Sequence, residues 1–287
     1  MGFETVKKLA AKGANVILAC RTLSKGYQAK EAIAKDISFP VHIDVMELDL
    51  ASFASIEHFA KSFSEKYGKL DILVNNAGIM AIPQRETTKD RLEMQIGTNH
   101  FGHFLLTSLL FPLISNNGRI INHSSGAHLL AALRYPYENL LSENSYNPWV
   151  QYGNSKASNL LFTYELNRRL SLIGNPKNIQ CIAVHPGYSA TNLQTGRYPM
   201  SDMANALFAM KAEHGAQSQL LAAAGEDVAS YGMKDTFIGP KYLAFGAPRV
   251  QSILRTYDNA AQEYLWNESV RLTGSNFGGV LDFSVNA

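Results

Sequence analysis

Tyr152 and Lys156 lie four residues apart in the run Tyr-Gly-Asn-Ser-Lys, which opens an amphipathic stretch read as a helix over 150–172. That spacing puts both side chains on one helix face, roughly 5–6 Å apart at Cβ. A phenol ordinarily titrates near pKa ~10, and a neighbouring ammonium favours the phenolate and lowers that value. The tyrosine then becomes usable as a proton donor or acceptor. Tyr-x-x-x-Lys alone is a weak signal, because amphipathic helices produce it by chance.

Three strand ends give the pair a setting. Residues 70–79 read LDILVNNAGI, a buried parallel strand running into Asn75-Asn76-Ala77-Gly78. Small residues at the carboxyl end of a strand let the backbone approach a ligand closely. Residues 118–125, GRIINHSS, form another strand ending in hydroxyls, and HPGYSAT at 185–191 closes a third. In an open parallel sheet, ligands bind beyond the carboxyl ends of the strands. The three loops and the Tyr/Lys helix therefore converge on one crevice.

Short β-branched runs alternate with longer amphipathic ones, the pattern of repeated βα units around a parallel sheet. Strands are expected at 15–20, 41–48, 70–75, 118–123, 178–184 and 235–239, and helices at 3–12, 24–36, 52–67, 88–114, 150–172, 202–224 and 249–272. Ser24, Ser52 and Ser201 are the expected helix caps. Without a repeat, linker or low-complexity segment, one domain over 1–287 is the economical reading. The beginning is unusual. A doubly wound sheet starts with a strand, a glycine-rich turn and a helix. Here the chain starts in the helix, and its 21 glycines include no G-x-G.

Taken in order, NNAG (75–78), Asn99, Ser124-Ser125, Tyr152-x-x-x-Lys156 and Pro186-Gly187-x-x-x-Thr191 resemble the short-chain dehydrogenase/reductase family over nearly the whole chain. The long segment between Ser125 and Tyr152, Ala19-Cys20-Arg21, and the ending LWNESVRLTG (265–274) are similar to its retinol dehydrogenase and protochlorophyllide reductase branch. The resemblance implies a Rossmann-like, doubly wound α/β fold. It implies Tyr152 as general acid in carbonyl reduction and general base in alcohol oxidation. Lys156 would hold the nicotinamide ribose and lower the tyrosine pKa. Ser125 would bond the substrate oxygen, and Asn99 would hold a water that relays protons to Lys156. Gly2, Asn76, Ala77, Gly78, Pro186 and Gly187 would line the cofactor, Thr191 would bond its carboxamide, and Asp49 with Leu50 would border its adenine. An acid at the end of the second family strand selects NAD, whereas a nearby arginine accommodates a 2′-phosphate. Cys20 occupies the acidic position and Arg21 follows it, so NADP(H) is expected over NAD.

In the family, a strand and a TGxxxGIG turn precede the first helix. Here Met1-Gly2-Phe3-Glu4-Thr5 is similar to the tail of that motif, with Gly2 as its last glycine. The expectation is a fold lacking its first strand and glycine-rich loop, truncated at the amino terminus, with a gap in the sheet. Two function classes follow: a working oxidoreductase, or a catalytically impaired fragment surviving as a non-enzymatic binding protein.

Composition excludes several alternatives. With 46% hydrophobic and 17% charged residues, the chain has material for a core and no signature of disorder. A net charge of +2 gives no reason to expect a nucleic-acid partner. No apolar run reaches the length of a membrane span, and residues 1–14 do not read as a signal peptide, so a cytoplasmic protein is expected. Cys20 and Cys181 read as buried reduced thiols. His100 and His103 have metal-ligand spacing but no third ligand, so packing is expected and no metal. His123 and Ser125 alternate on one strand face, a faint hint of a hydrolase that no G-x-S-x-G supports. Trp149 and Trp266 are expected to pack. Tyr198, Met200, Met203, Phe208 and Met210 would form either core or an apolar substrate lid. The expected partner is a small apolar alcohol or carbonyl compound, with a homo-oligomer possible on family grounds.

Overall fold

The computed structural model describes residues 1–131, 138–187, 212–226, 236–242, 245–253 and 258–281. Apolar runs become strands β1 (Val16–Cys20), β2 (Ile43–Glu47), β3 (Leu70–Asn75), β4 (Ile114–His123), β5 (Gln180–Val184), β6 (Thr236–Pro240) and β7 (Pro248–Ser252). Between them lie helices α1 (Gly2–Ala10), α2 (Leu23–Asp36) and α3 (Phe53–Tyr67). The short α4 (Met94–Ile96), α5 (Gly102–Leu110), α6 (Pro148–Leu172), α7 (Ala212–Ala224) and α8 (Asn259–Thr273) follow.

Local chemistry sets the helix ends. The Ser52 hydroxyl accepts the Ser55 N–H at the start of α3, and Gly68, at φ 63°, closes its far end in the left-handed region. Asn147 caps α6 by accepting the N–H groups of Trp149 and Val150, with Pro148 in the first turn. The expected cap at Ser24 gives way to Thr22, whose side chain makes no cap bond. Ser201 lies outside the described residues.

The strands form an α/β, Rossmann-like arrangement in two pieces. β1 pairs in parallel with β2 alone. A second sheet runs β3-β4-β5-β6-β7, parallel as far as β6, with β7 antiparallel. Among the described strands, β1 and β3 each therefore keep one edge without a strand partner. Aromatic and aliphatic side chains of α3, α5, α6 and α8, including Phe59, Phe104, Phe162 and Trp266, pack one face of β3 and β4. Ala222 and Ala223 of α7 cover the other face at Ile121, Ile182 and Ile238. Burying a side chain such as Phe104 contributes about 1.5–3 kcal/mol.

Two expected helices are corrected. The run 88–114 is broken: after α4 comes a π-turn over Gly97–Phe101, then α5, then a 3-10 turn at Phe111–Leu113 around Pro112. A π-turn carries one extra residue and is common at functional positions. The run 249–272 divides into β7 and α8, because Pro248–Ser252 finds the open edge of β6. Cys20 is half-buried and Trp149 is 44% exposed, so neither is in the core as expected, whereas Cys181 and Trp266 are.

Candidate active site

Helix α6 is riveted to the carboxyl end of β4. Ser124 Oγ donates to the Lys156 carbonyl at 2.8 Å, and Asn159 Nδ2 donates to the His123 carbonyl at 2.9 Å. Lys156 Nζ donates to that same carbonyl at 3.2 Å. This brings together Tyr152, Lys156 and Ser125. The Lys156 ammonium lies 5.6 Å from the centroid of the Tyr152 ring, and Ser125 hydrogen-bonds Tyr152. Ser125 Oγ also accepts the Ala127 N–H at 3.1 Å, which fixes its rotamer.

Burial dominates the electrostatics of the pair. It pushes the Tyr152 phenol up to about 12, with the Ser125 hydrogen bond pulling the other way. It pushes the Lys156 ammonium down to about 8. The spacing predicts a tyrosine acidified by the lysine; in this site the loss of water around each group sets the direction of its shift.

Asn99 sits within the π-turn, completely buried. Its Oδ1 accepts the Ile79 N–H at 2.8 Å, and its Nδ2 donates to the Ile79 carbonyl and to Ser155 Oγ, both at 2.9 Å. The asparagine thus ties the loop after β3 to α6. His103 Nδ1 lies 3.0 Å from the Asn99 carbonyl. His100 bonds Ser269 of α8. Both imidazoles are packed and pushed well down by burial, and among the described residues no three His, Cys, Asp or Glu side chains cluster as metal ligands. His123 Nε2 is buried without a hydrogen-bond partner and makes no couple with Ser125.

The expected cofactor residues fall into two groups. Asn76, Ala77 and Gly78 lie on the loop after β3, close to the Tyr/Lys pair. A Cβ at Gly78 would stand 3.2 Å from Asn99 Oδ1 and 3.4 Å from Lys156 Nζ, a tight fit that places this glycine against both side chains. Gly2 reaches this loop too, because a Cβ on it would stand 2.8 Å from Asn76 Nδ2. Pro186 and Gly187 follow β5, with Gly187 at φ 69° and its N–H donating to His185 Nδ1 at 3.3 Å. Away from this centre, Arg21 is exposed at the end of β1. Asp49 Oδ1 accepts the Ala51 N–H at 3.1 Å while Leu50 is buried against Gly102. Thr191 and the candidate lid residues 198–210 lie outside the described residues.

The residues present fit the nicotinamide end of a dinucleotide. Lys156 Nζ, Gly78 and the Tyr152 phenol lie together at the carboxyl ends of β3 and β4. At the pyrophosphate end, α1 begins without a side-chain cap, so its first N–H groups could receive an anion. No glycine turn among the 287 residues aims those groups.

Several supporting residues escaped the sequence reading. Asn75 Nδ2 donates to Thr107 Oγ1 and Asn122 Oδ1, and Asn122 Nδ2 continues to Thr163 Oγ1, a buried polar ladder from β3 to α6. The alternation of Asn122 and Ser124 along β4 was its one available signal. Glu93 accepts the N–H groups of Gln95 and Ile96 and the Gln151 amide, just before the π-turn. Gln219 of α7 accepts from Thr5 and donates to Asn76, joining α1 to the loop after β3. Apart from the two local bonds that Glu93 accepts, these links cross long sequence separations and leave no local pattern.

Residues 1–202 match the family described as short chain dehydrogenase. Retinol dehydrogenase 12 of Mus musculus is 36% identical over 278 residues, covering 96% of this chain and 83% of that protein. Retinol dehydrogenase 13 of Homo sapiens is 38% identical over 287 residues, covering 96% and 81%. A crystal structure of an uncharacterized protein from Mycobacterium Paratuberculosis is similar with a TM-score of 0.75 at 38% identity, covering 96% of this chain and 91% of that one.

Proposed function

Because the chain belongs to the short-chain dehydrogenase family, we propose that it moves a hydride between NADP(H) and the reacting carbon of an apolar alcohol, aldehyde or ketone. A bound nicotinamide dinucleotide supplies or accepts the hydride. Tyr152 gives its phenol proton to the carbonyl oxygen in reduction and takes a proton from the hydroxyl in oxidation. Ser125 donates its hydroxyl hydrogen to the same substrate oxygen. Lys156 Nζ holds the ribose hydroxyls, and its charge favours the phenolate that reduction leaves behind. The Asn99 carbonyl, which has a second lone pair beside its His103 contact, holds a water that returns a proton towards Lys156. Gly2, Asn76, Ala77, Gly78, Pro186, Gly187 and Thr191 line the cofactor, and Asp49 and Leu50 border its adenine.

One observation carries this reading: Ser125 and the Lys156 ammonium both lie beside the Tyr152 ring where β4 meets α6. Arg21, exposed at the end of β1, supports NADP(H) over NAD. An apolar substrate is supported by the names of the retinol dehydrogenase relatives. It is also supported by exposed Leu129, Leu130 and Trp149 on the elements that carry Ser125 and Tyr152.

A second reading, of a chain impaired in catalysis or serving as a non-catalytic binding protein, is favoured by the edges of β1 and β3 that find no partner among the described strands. Steady-state reduction of a panel of apolar aldehydes with NADPH separates the two. Tyr152→Phe is expected to lower kcat about 10²–10⁴-fold. Turnover that survives this substitution would refute the assignment of the acid.

A further inference from the structure

His128, three residues past Ser125 in the 3-10 turn Gly126–Leu130, is almost wholly buried. Its backbone N–H reaches the Ser125 carbonyl at 3.0 Å, and its ring Nδ1 reaches the same oxygen at 2.8 Å. A carbonyl only accepts, so Nδ1 carries the proton. One residue thus engages both lone pairs of one peptide oxygen. The ring meets Phe237 of β6 edge-on, with centroids 5.7 Å apart. Phe237 in turn stacks on His185 at 4.3 Å. His185 is itself locked: its backbone N–H donates to the Ile238 carbonyl at 2.8 Å, and a Cβ on Gly239 would stand 1.6 Å from its Nε2. The Ser125 peptide is therefore referenced, through two imidazoles and one phenyl ring, to β5 and β6. The opposite side of the same serine holds Tyr152.

We propose that His128 is a positioning residue for the acid–base tyrosine: by clamping the Ser125 carbonyl it holds the Ser125 hydroxyl on the Tyr152 phenol. This rests on the oxidoreductase reading of Tyr152. The Ser125 hydrogen bond is the one contact that opposes the effect of burial on that phenol. A serine free to turn would leave the tyrosine a weaker acid and the substrate oxygen without its second donor.

Two substitutions separate the clamp from plain packing. His128→Phe keeps a ring against Phe237 and removes the Nδ1 donor; His128→Asn places an amide N–H where Nδ1 stands. The first measurement needs no turnover. Long-range ¹H–¹⁵N spectra of the cofactor-free protein, assigned with the His128→Asn variant, are expected to show His128 as the Nδ1–H tautomer at neutral pH. The Nε2–H tautomer overturns the proposal. The second is kinetic. His128→Phe should lower kcat up to about tenfold, the worth of one hydrogen bond. It should leave the KM for NADP(H) unchanged, while His128→Asn, which restores the donor, restores the rate. Wild-type kinetics in His128→Phe overturn the proposal, as does a loss that Asn fails to restore or one accompanied by an equal rise in the KM for NADP(H). If Tyr152→Phe itself keeps full turnover, the oxidoreductase reading fails instead, and the tautomer still reports on the clamp.

Discussion

β1 and β5 are both five-residue apolar runs, VILAC and QCIAV, yet they lie in different surroundings. β5 is bonded on both sides, to β4 and β6, and its last four residues are buried. β1 is bonded on one side, and none of its five residues is buried. An apolar run specifies a strand; its neighbours decide how much of it leaves water. The same contrast divides the site. Around β4, β5 and α6 the groups proposed to handle the proton are held by buried polar contacts. Around β1, Arg21 and the start of α1 lie beside an open sheet edge and an uncapped helix. The end proposed to do the chemistry is the more densely bonded of the two.

Completing the weak end should have the largest effect. Placing a strand and glycine-rich turn ahead of Met1 is expected to tighten NADPH binding about 100-fold, or ~2.7 kcal/mol, because it aims backbone N–H groups at the pyrophosphate. Fluorescence titration of the two proteins measures this, and amide hydrogen exchange should show β1 becoming protected in parallel. Equal affinities would erase the contrast between the two ends.

Charge at the weak end comes next. Arg21→Asp should lower the NADPH-to-NADH preference by about tenfold or more, the worth of a charge-assisted hydrogen bond. It should leave kcat with the better cofactor little changed. Equal use of both cofactors before substitution would remove Arg21 from the account.

The smallest effect belongs to the strong end. Lys156, lowered to about 8, is charged below that pH and neutral above it. Tyr152, raised to about 12, keeps its proton throughout the working range. Carbonyl reduction should therefore hold level below pH about 8 and fall by less than about tenfold above it, as the ammonium that stabilises the phenolate is lost. A pH profile flat through that point would show that the ammonium charge is dispensable.

Much of this was legible in the sequence, and the reasons differ by residue. β3 was placed at its observed bounds, Leu70–Asn75, because six residues of apolar strand end abruptly in NNAG. Tyr152 and Lys156 were legible because helix geometry fixes the relation of residues four apart. β7 was not: Pro248–Ser252 reads as easily into the helix that follows, and only the open edge of β6 makes it a strand. The tyrosine pKa was anticipated in the wrong direction, since spacing reports charge but not burial. Asn75 and Gln219 act across tertiary distances, which periodicity cannot register, and Glu93 and His128 join a local bond to a distant partner, Gln151 and Phe237.

The π-turn at Gly97–Phe101 acts as a phase shifter in the chain. Each α-helical residue advances the face by about 100°. With the extra residue, Asn99 looks toward Ile79 and Ser155 while Phe101, Phe104 and Phe111 stay in the core. Losing one residue there would swing one side of the turn by about 100° against the other, so either the asparagine or the aromatic wall would leave its place. No side-chain substitution repairs such a slip. Insertions and deletions are therefore expected to be tolerated only where no such register has to be kept, as in the connections on either side of α6.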